Sequence, residues 1–228
     1  MARLLQKIKN IKKTLSTPRH PPPPPFTLHS HDAAALIEQH LAWLELPARQ
    51  WDPRRAAALN SLGAWLRQHE WLDAIGSVPS IDSMEELFEI FDDLFFASSL
   101  RDNYIFRWMN GGRHCAGLTF TPPGSPMTTI AVNWFLVRWG SFGTIECIVS
   151  VLLHEMCHAY MLVWGCMGKK SGCSRWACQK GSERYVKEIG MGGHGDAWQR
   201  LALTVELLAG DMGLVVDLLV EKTVRLDR

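Results

Sequence analysis

With 228 residues, 47% of them hydrophobic and ten of them Trp, the chain can bury a full domain core and is too apolar to be a disordered polymer. Its 24 Lys and Arg almost balance 23 Asp and Glu, a formal charge of +1, which excludes a uniformly basic nucleic-acid-binding surface. The residues after Met1 are not a signal-peptide core, and no uninterrupted apolar run reaches membrane-spanning length, so we expect an intracellular protein with no transmembrane segment. Residues 1–31 read as a basic, proline-rich flexible tail with six Lys or Arg and no acid. Within it Leu4, Leu5, Ile8, Ile11 and Leu15 share one helical stripe among lysines. Such a stripe suits a nuclear-import or nucleic-acid patch, a mitochondrial presequence, a membrane-surface helix or a plain disordered tail. Pro18 and Pro21–Pro25 make a stiff spacer, with an SH3 or WW partner as the sharper reading. Residues 32–80 read as a helical extension: one helix from Asp32 to Leu46, stopped by Pro47, and a second capped by Asp52, with Pro53 first, running to about Ala74. Trp43, Trp51, Trp65 and Trp71 read as packing residues, and 76–80 as a linker.

Residues 81–228 read as the catalytic domain. Ser83 and Glu86 form a capping box for a helix to about Ala97. Strands are expected over Tyr104–Met109, Cys115–Thr121 and Thr128–Val132, split by Asn110-Gly111-Gly112 and by the Pro-rich turn at 122–126. Thr144 opens the next helix and Gly165 ends it. That helix contains His154-Glu155-Met156-Cys157-His158, an H-E-x-x-H motif in an apolar run. Four residues turn an α-helix by about 400°, so His154 and His158 share a face and can reach one Zn²⁺. Glu155 sits about 100° round, placed to act as general base rather than ligand. A third ligand is needed. His194, between Gly193 and Gly195, is the candidate; Glu183 and Glu188 are rivals. Residues 166–192 form a basic insertion containing Cys166, Cys173 and Cys178, which offer a second, cysteine-bound ion as the sharp reading and plain reduced thiols as the bland one. A helix over Asp196–Leu208 and a last strand over Leu214–Leu219 complete an α+β pattern: a small, mostly antiparallel sheet packed on the H-E-x-x-H helix.

From about Met84 to about Val216 the chain resembles the SprT-like family of zinc metalloproteases, whose type is the Spartan-like protease domain. The resemblance rests on Leu87–Phe96, on His114-Cys115-Ala116-Gly117-Leu118, on Leu152–Tyr160 around the motif, and on Gly193-His194-Gly195. It implies a zincin-like fold, a catalytic zinc ion on His154, His158 and His194, and Glu155 as the catalytic carboxylate. It also implies nuclear activity on proteins bound or crosslinked to DNA. The interval from His158 to His194 is longer than the family's usual one, and no Cys-rich zinc module follows His194.

Three further expectations follow from the residues. An extended protein substrate would pair with an edge strand, for which Thr128, Thr129, Ile130, Ala131 and Val132 are the candidates. Tyr160 and Tyr185 are chemically eligible as oxyanion donors. Lys169, Lys170, Arg175 and Trp176 set cations beside an aromatic ring, a combination suited to single-stranded DNA; an inward-packed Trp176 in a solvated loop is the bland alternative. Two other functions compete with the DNA-linked protease: a non-proteolytic, zinc-containing chromatin- or DNA-associated binding module, and an intracellular, perhaps mitochondrial, metalloprotease without a DNA role.

Overall fold

The computed structural model describes residues 32–70, 72, 77–110, 115–135, 144–166, 173–190 and 192–218. The tail of residues 1–31, Trp71, His114, Lys169 and Lys170 lie outside this set, and so do the expectations attached to them.

Helix α1 (Ala33–Leu44) begins where expected: Asp32 Oδ1 accepts the Ala35 N–H at 2.9 Å. Its far end is closed by a residue from the next helix. The buried Arg55 guanidinium donates to the Trp43 and Leu44 carbonyls, each at 3.1 Å, and lies 4.2 and 4.3 Å from the Trp43 and Trp51 rings. Burial lowers Arg55 to about 9, which still leaves it charged at neutral pH. The tryptophans are thus packing residues, as the sequence suggests, but they pack around a cation. Helix α2 (Pro53–His69) opens on Asp52, which accepts from Arg54 N and Arg55 N. Helix α3 (Ile81–Phe95) is capped by Ser80, which accepts the Ser83 N–H. The expected Ser83–Glu86 capping box does not form, because Ser83 Oγ is engaged by His69 Nε2 at 2.6 Å while its carbonyl takes the Trp65 indole N–H. Helix α3 gives way to the sheet through Ala97, Ser98 and Asp102, all at positive φ. Buried Asp92 holds that turn, accepting from Leu100 N at 3.0 Å and Arg101 N at 2.9 Å.

Three strands follow: β1 (Tyr104–Met109), β2 (Gly117–Phe120) and β3 (Thr128–Asn133). Their order is β1-β3-β2. β1 runs parallel to β3, with Tyr104 opposite Thr128, and β2 runs antiparallel to it, with Gly117 opposite Val132. The sheet is therefore mixed, not mostly antiparallel. β3 is buried at all six positions, whereas β1 and β2 expose Ile105, Leu118 and Phe120, as expected of a central strand between two edges.

Helix α4 (Thr144–Trp164) packs on β2, β3 and the last long helix. By length and composition its 21 residues could span a membrane, contrary to the expectation that no segment comes near this. A little over half of it is buried in the fold, and it carries the motif. A 3-10 turn (Trp176–Cys178), a short helix α5 (Glu183–Glu188) and helix α6 (Asp196–Met212) follow. Gly213 ends α6 in the left-handed region (φ 91°). The expected strand at 214–219 is absent among its described residues, Leu214–Leu218. Their backbone is held by side chains instead: Leu218 N by Glu206 and Asp217 N by Ser150. One buried cluster runs from Ala33 to Leu218, so the N-terminal helices share a core with α4 and α6.

Candidate metal centre

His154 and His158 lie one turn apart on α4, and the turn before α6 brings His194 to them. The three Nε2 atoms are 3.2 Å (154–158), 3.1 Å (158–194) and 3.4 Å (154–194) apart. Each glycine beside His194 has its own reason. Gly193 sits at φ 88°, a conformation side-chain-bearing residues rarely adopt. Gly195 lies on the backbone that ends α5: its N–H donates to Ile189 O at 2.8 Å, and an added Cβ would come 2.5 Å from Gly190 N. Gln199 then donates to the His194 carbonyl at 2.7 Å, fixing the residue from the first turn of α6.

These contacts cannot all be hydrogen bonds. His154 Nδ1 lies 2.9 Å from the Leu218 carbonyl, so it must carry the proton, and its Nε2 presents a lone pair. Each Nε2 of a neutral imidazole is either donor or acceptor. Among three mutual contacts at least one pair must therefore be alike. Three lone pairs converging on a cation remove the conflict. Zinc bound to His at about 2.0–2.1 Å in a tetrahedron sets its nitrogens about 3.3 Å apart, close to the spacing seen here. Electrostatics agree: burial lowers His154 to about 4 and holds His158 well below its ordinary value, with the neighbouring imidazoles adding to the effect. The donor set fits zinc.

Glu155 projects beside this cluster, almost wholly buried. Its Oε2 accepts the Thr119 hydroxyl at 2.6 Å from strand β2. Gly117, on the same strand, leaves room for it: a Cβ there would stand 2.6 Å from Glu155 Cγ. Burial pushes the carboxyl up to about 7, against the opposing effect of the Thr119 bond. Trp198, fully buried on α6, closes the floor. Its ring lies 4.5, 4.8 and 5.1 Å from those of His194, His154 and His158.

The sequence model of the SprT-like family matches part of the chain. Residues 84–173 match a SprT-like domain. Such domains are metalloprotease-like. The match takes in α3, the sheet and the motif helix, and it stops before His194. Comparison with curated proteins and with solved structures gave no match.

Against this geometry several expectations change. Thr128–Val132 is not an edge strand: β3 is paired on both sides and buried throughout. The edge beside Glu155 is β2. Tyr160 packs in the core, stacked on His40 at 4.4 Å, and Tyr185 is buried on α5. Glu188 pairs with Arg184 at 3.1 Å, and neither it nor Glu183 joins the histidine cluster. Trp176 is 79% exposed beside Arg175, so the inward-packed reading fails. Cys166, Cys173 and Cys178 come together with their sulfurs within 4.8 Å of one another. Gly117, Thr119, Trp198 and the Leu218 carbonyl were not foreseeable as site groups, since the fold brings them in from other elements. Gly117 sits in the stretch that carries the family resemblance, which was the one available signal.

Proposed function

We propose that the protein is a zinc-dependent endopeptidase. The observation that carries this is the convergence of three imidazole nitrogens beside a buried, hydrogen-bonded carboxylate. His154, His158 and His194 would hold the ion. Zinc in such a site supplies Lewis-acid polarisation and brings the pKa of water toward neutrality. The remaining work falls to the chain's own groups. Thr119 holds Glu155 Oε2, which leaves Oε1, beside Gly117, to take a proton from the attacking water and pass it to the leaving amine nitrogen. The pairing role expected of Thr128–Val132 passes to β2, whose outer edge adjoins Glu155 and can receive an extended peptide. A purely structural zinc module would have no use for a carboxylate buried at this place, which disfavours the non-proteolytic reading.

The test is Glu155→Gln, an isostere that cannot accept the proton. It should retain zinc by elemental analysis and cut a denatured protein substrate about 10²–10⁴-fold more slowly. Cleavage at the parent rate would remove Glu155 from the mechanism.

The exposed indole of Trp176 next to Arg175 favours a finer reading, in which DNA-bound or DNA-crosslinked proteins in the nucleus are the substrates. A base stacked on Trp176, with a phosphate on Arg175, would recruit single-stranded DNA. Trp176→Ala should then weaken binding to a single-stranded oligonucleotide by about 1–3 kcal/mol, read by fluorescence anisotropy across a salt series. Unchanged affinity would leave a protease without this DNA contact.

A further inference from the structure

We propose that Cys166, Cys173 and Cys178 bind one zinc ion through their thiolates, at a site separate from the histidine cluster. The three sulfurs come from three places in the chain. Cys166 lies two residues past the end of α4, Cys173 stands before the 3-10 turn, and Cys178 closes that turn. Folding nevertheless brings all three within 4.8 Å of one another. Zinc–thiolate bonds of about 2.3 Å in a tetrahedron set sulfurs about 3.8 Å apart, so the cluster is of the size such an ion needs. Cys166 and Cys178 are buried and Cys173 is half-buried. Between Cys166 and Cys173 the sequence contains no Cys, His or carboxylate, so a water molecule or a group from elsewhere would complete the shell.

The surroundings suit a thiolate centre. The Arg175 backbone N–H points at Cys173 Sγ (3.4 Å), an outer hydrogen bond of the kind that orients a metal-bound thiolate. Gln179 donates to the Cys173 and Arg175 carbonyls, at 2.8 and 3.2 Å, and so fixes the loop between two of the ligands. A disulfide would consume two of the sulfurs and leave the third beside it without a role. Soft thiolate donors select zinc over magnesium or calcium.

Such an ion would close the insertion on itself at the foot of α4. The links onward are short. Ser182 Oγ donates to Ala177 O and caps α5, and Ile189, just past the end of α5, accepts the Gly195 N–H next to His194. The proposal does not depend on proteolysis, and its test does not read it. The full chain, purified under reducing conditions without chelator, should carry two equivalents of zinc by elemental analysis. Cys173→Ser and Cys178→Ser should each remove one. Loaded with Co²⁺, the unaltered chain should show thiolate-to-cobalt charge-transfer absorption, which imidazole ligands do not give. The band should survive in a His154→Ala/His194→Ala double variant and vanish in Cys173→Ser. Absence of the band from the cobalt-loaded parent overturns the proposal, even if the cysteine variants fail to fold. A zinc content unmoved by folded cysteine variants overturns it too, as does an intact mass that shows a disulfide among the three.

Discussion

His40 shows what a titratable group costs when it is used as packing. It is fully buried in α1, stacked against Trp43, Phe96 and Tyr160, with Nε2 2.8 Å from the Phe95 carbonyl. Burial, with some help from the Arg55 charge, lowers it to about 3, against an ordinary value near 6.5. The unfolded chain therefore binds a proton at His40 that the folded chain refuses. The stability this residue contributes is fully present above about 6.5 and is lost as pH falls from there toward 3, by about 1.4 kcal/mol per pH unit at most. Denaturant unfolding at pH 7 and pH 5, with zinc held constant, should show a shallower pH dependence in His40→Phe than in the parent. Equal slopes would mean that His40 does not stay neutral. Nothing in the sequence marks this residue out; a lone His in an apolar helix looks the same whether it faces a ring stack or water.

At the scale of elements, the loop from α5 to α6 is the part of the site most exposed to a single methyl group. Gly195→Ala would push a Cβ into the backbone of Ile189 and Gly190, atoms that cannot swing aside as a side chain can. His194 should then be misplaced and zinc affinity should fall by about 10–100-fold, the usual cost of disturbing a ligand's support, as read by competition with a chelating dye. Gly210→Ala, in open space on the last turn of α6, is the control and should leave affinity unchanged. The elements also show where sequence reading stops. The H-E-x-x-H pair was legible because one helical turn, a local property, creates it. His194 was legible because its glycines signal an unusual backbone path. The place of β3 was not. Strand order depends on contacts remote in sequence, and a turn signal at 110–112 says nothing about a third strand entering between the two it separates. The cap of α3 was missed by three residues, because Ser80 and Ser83 are alike as caps and only the packing of His69 decides between them.

Over the whole molecule, the metal centre draws on β2, α4, the loop before α6 and the segment after it, all joined to one core. The residues matched to the SprT-like family supply two histidines, the glutamate and the threonine that holds it. The rest comes from later in the chain. His154 finds the acceptor that sets its tautomer 64 residues on, at Leu218. A chain made from the N-terminus therefore displays His154, Glu155 and His158 well before it can finish the site. While still on the ribosome it carries the motif without the geometry. A chain stopped after Met212 should reproduce that state. It retains His194 and the whole of α6 but lacks the Leu218 carbonyl that orients His154, so zinc should bind more weakly. Equal affinity in the two chains, by isothermal titration calorimetry, would show that maturation of the site ends earlier, with His194.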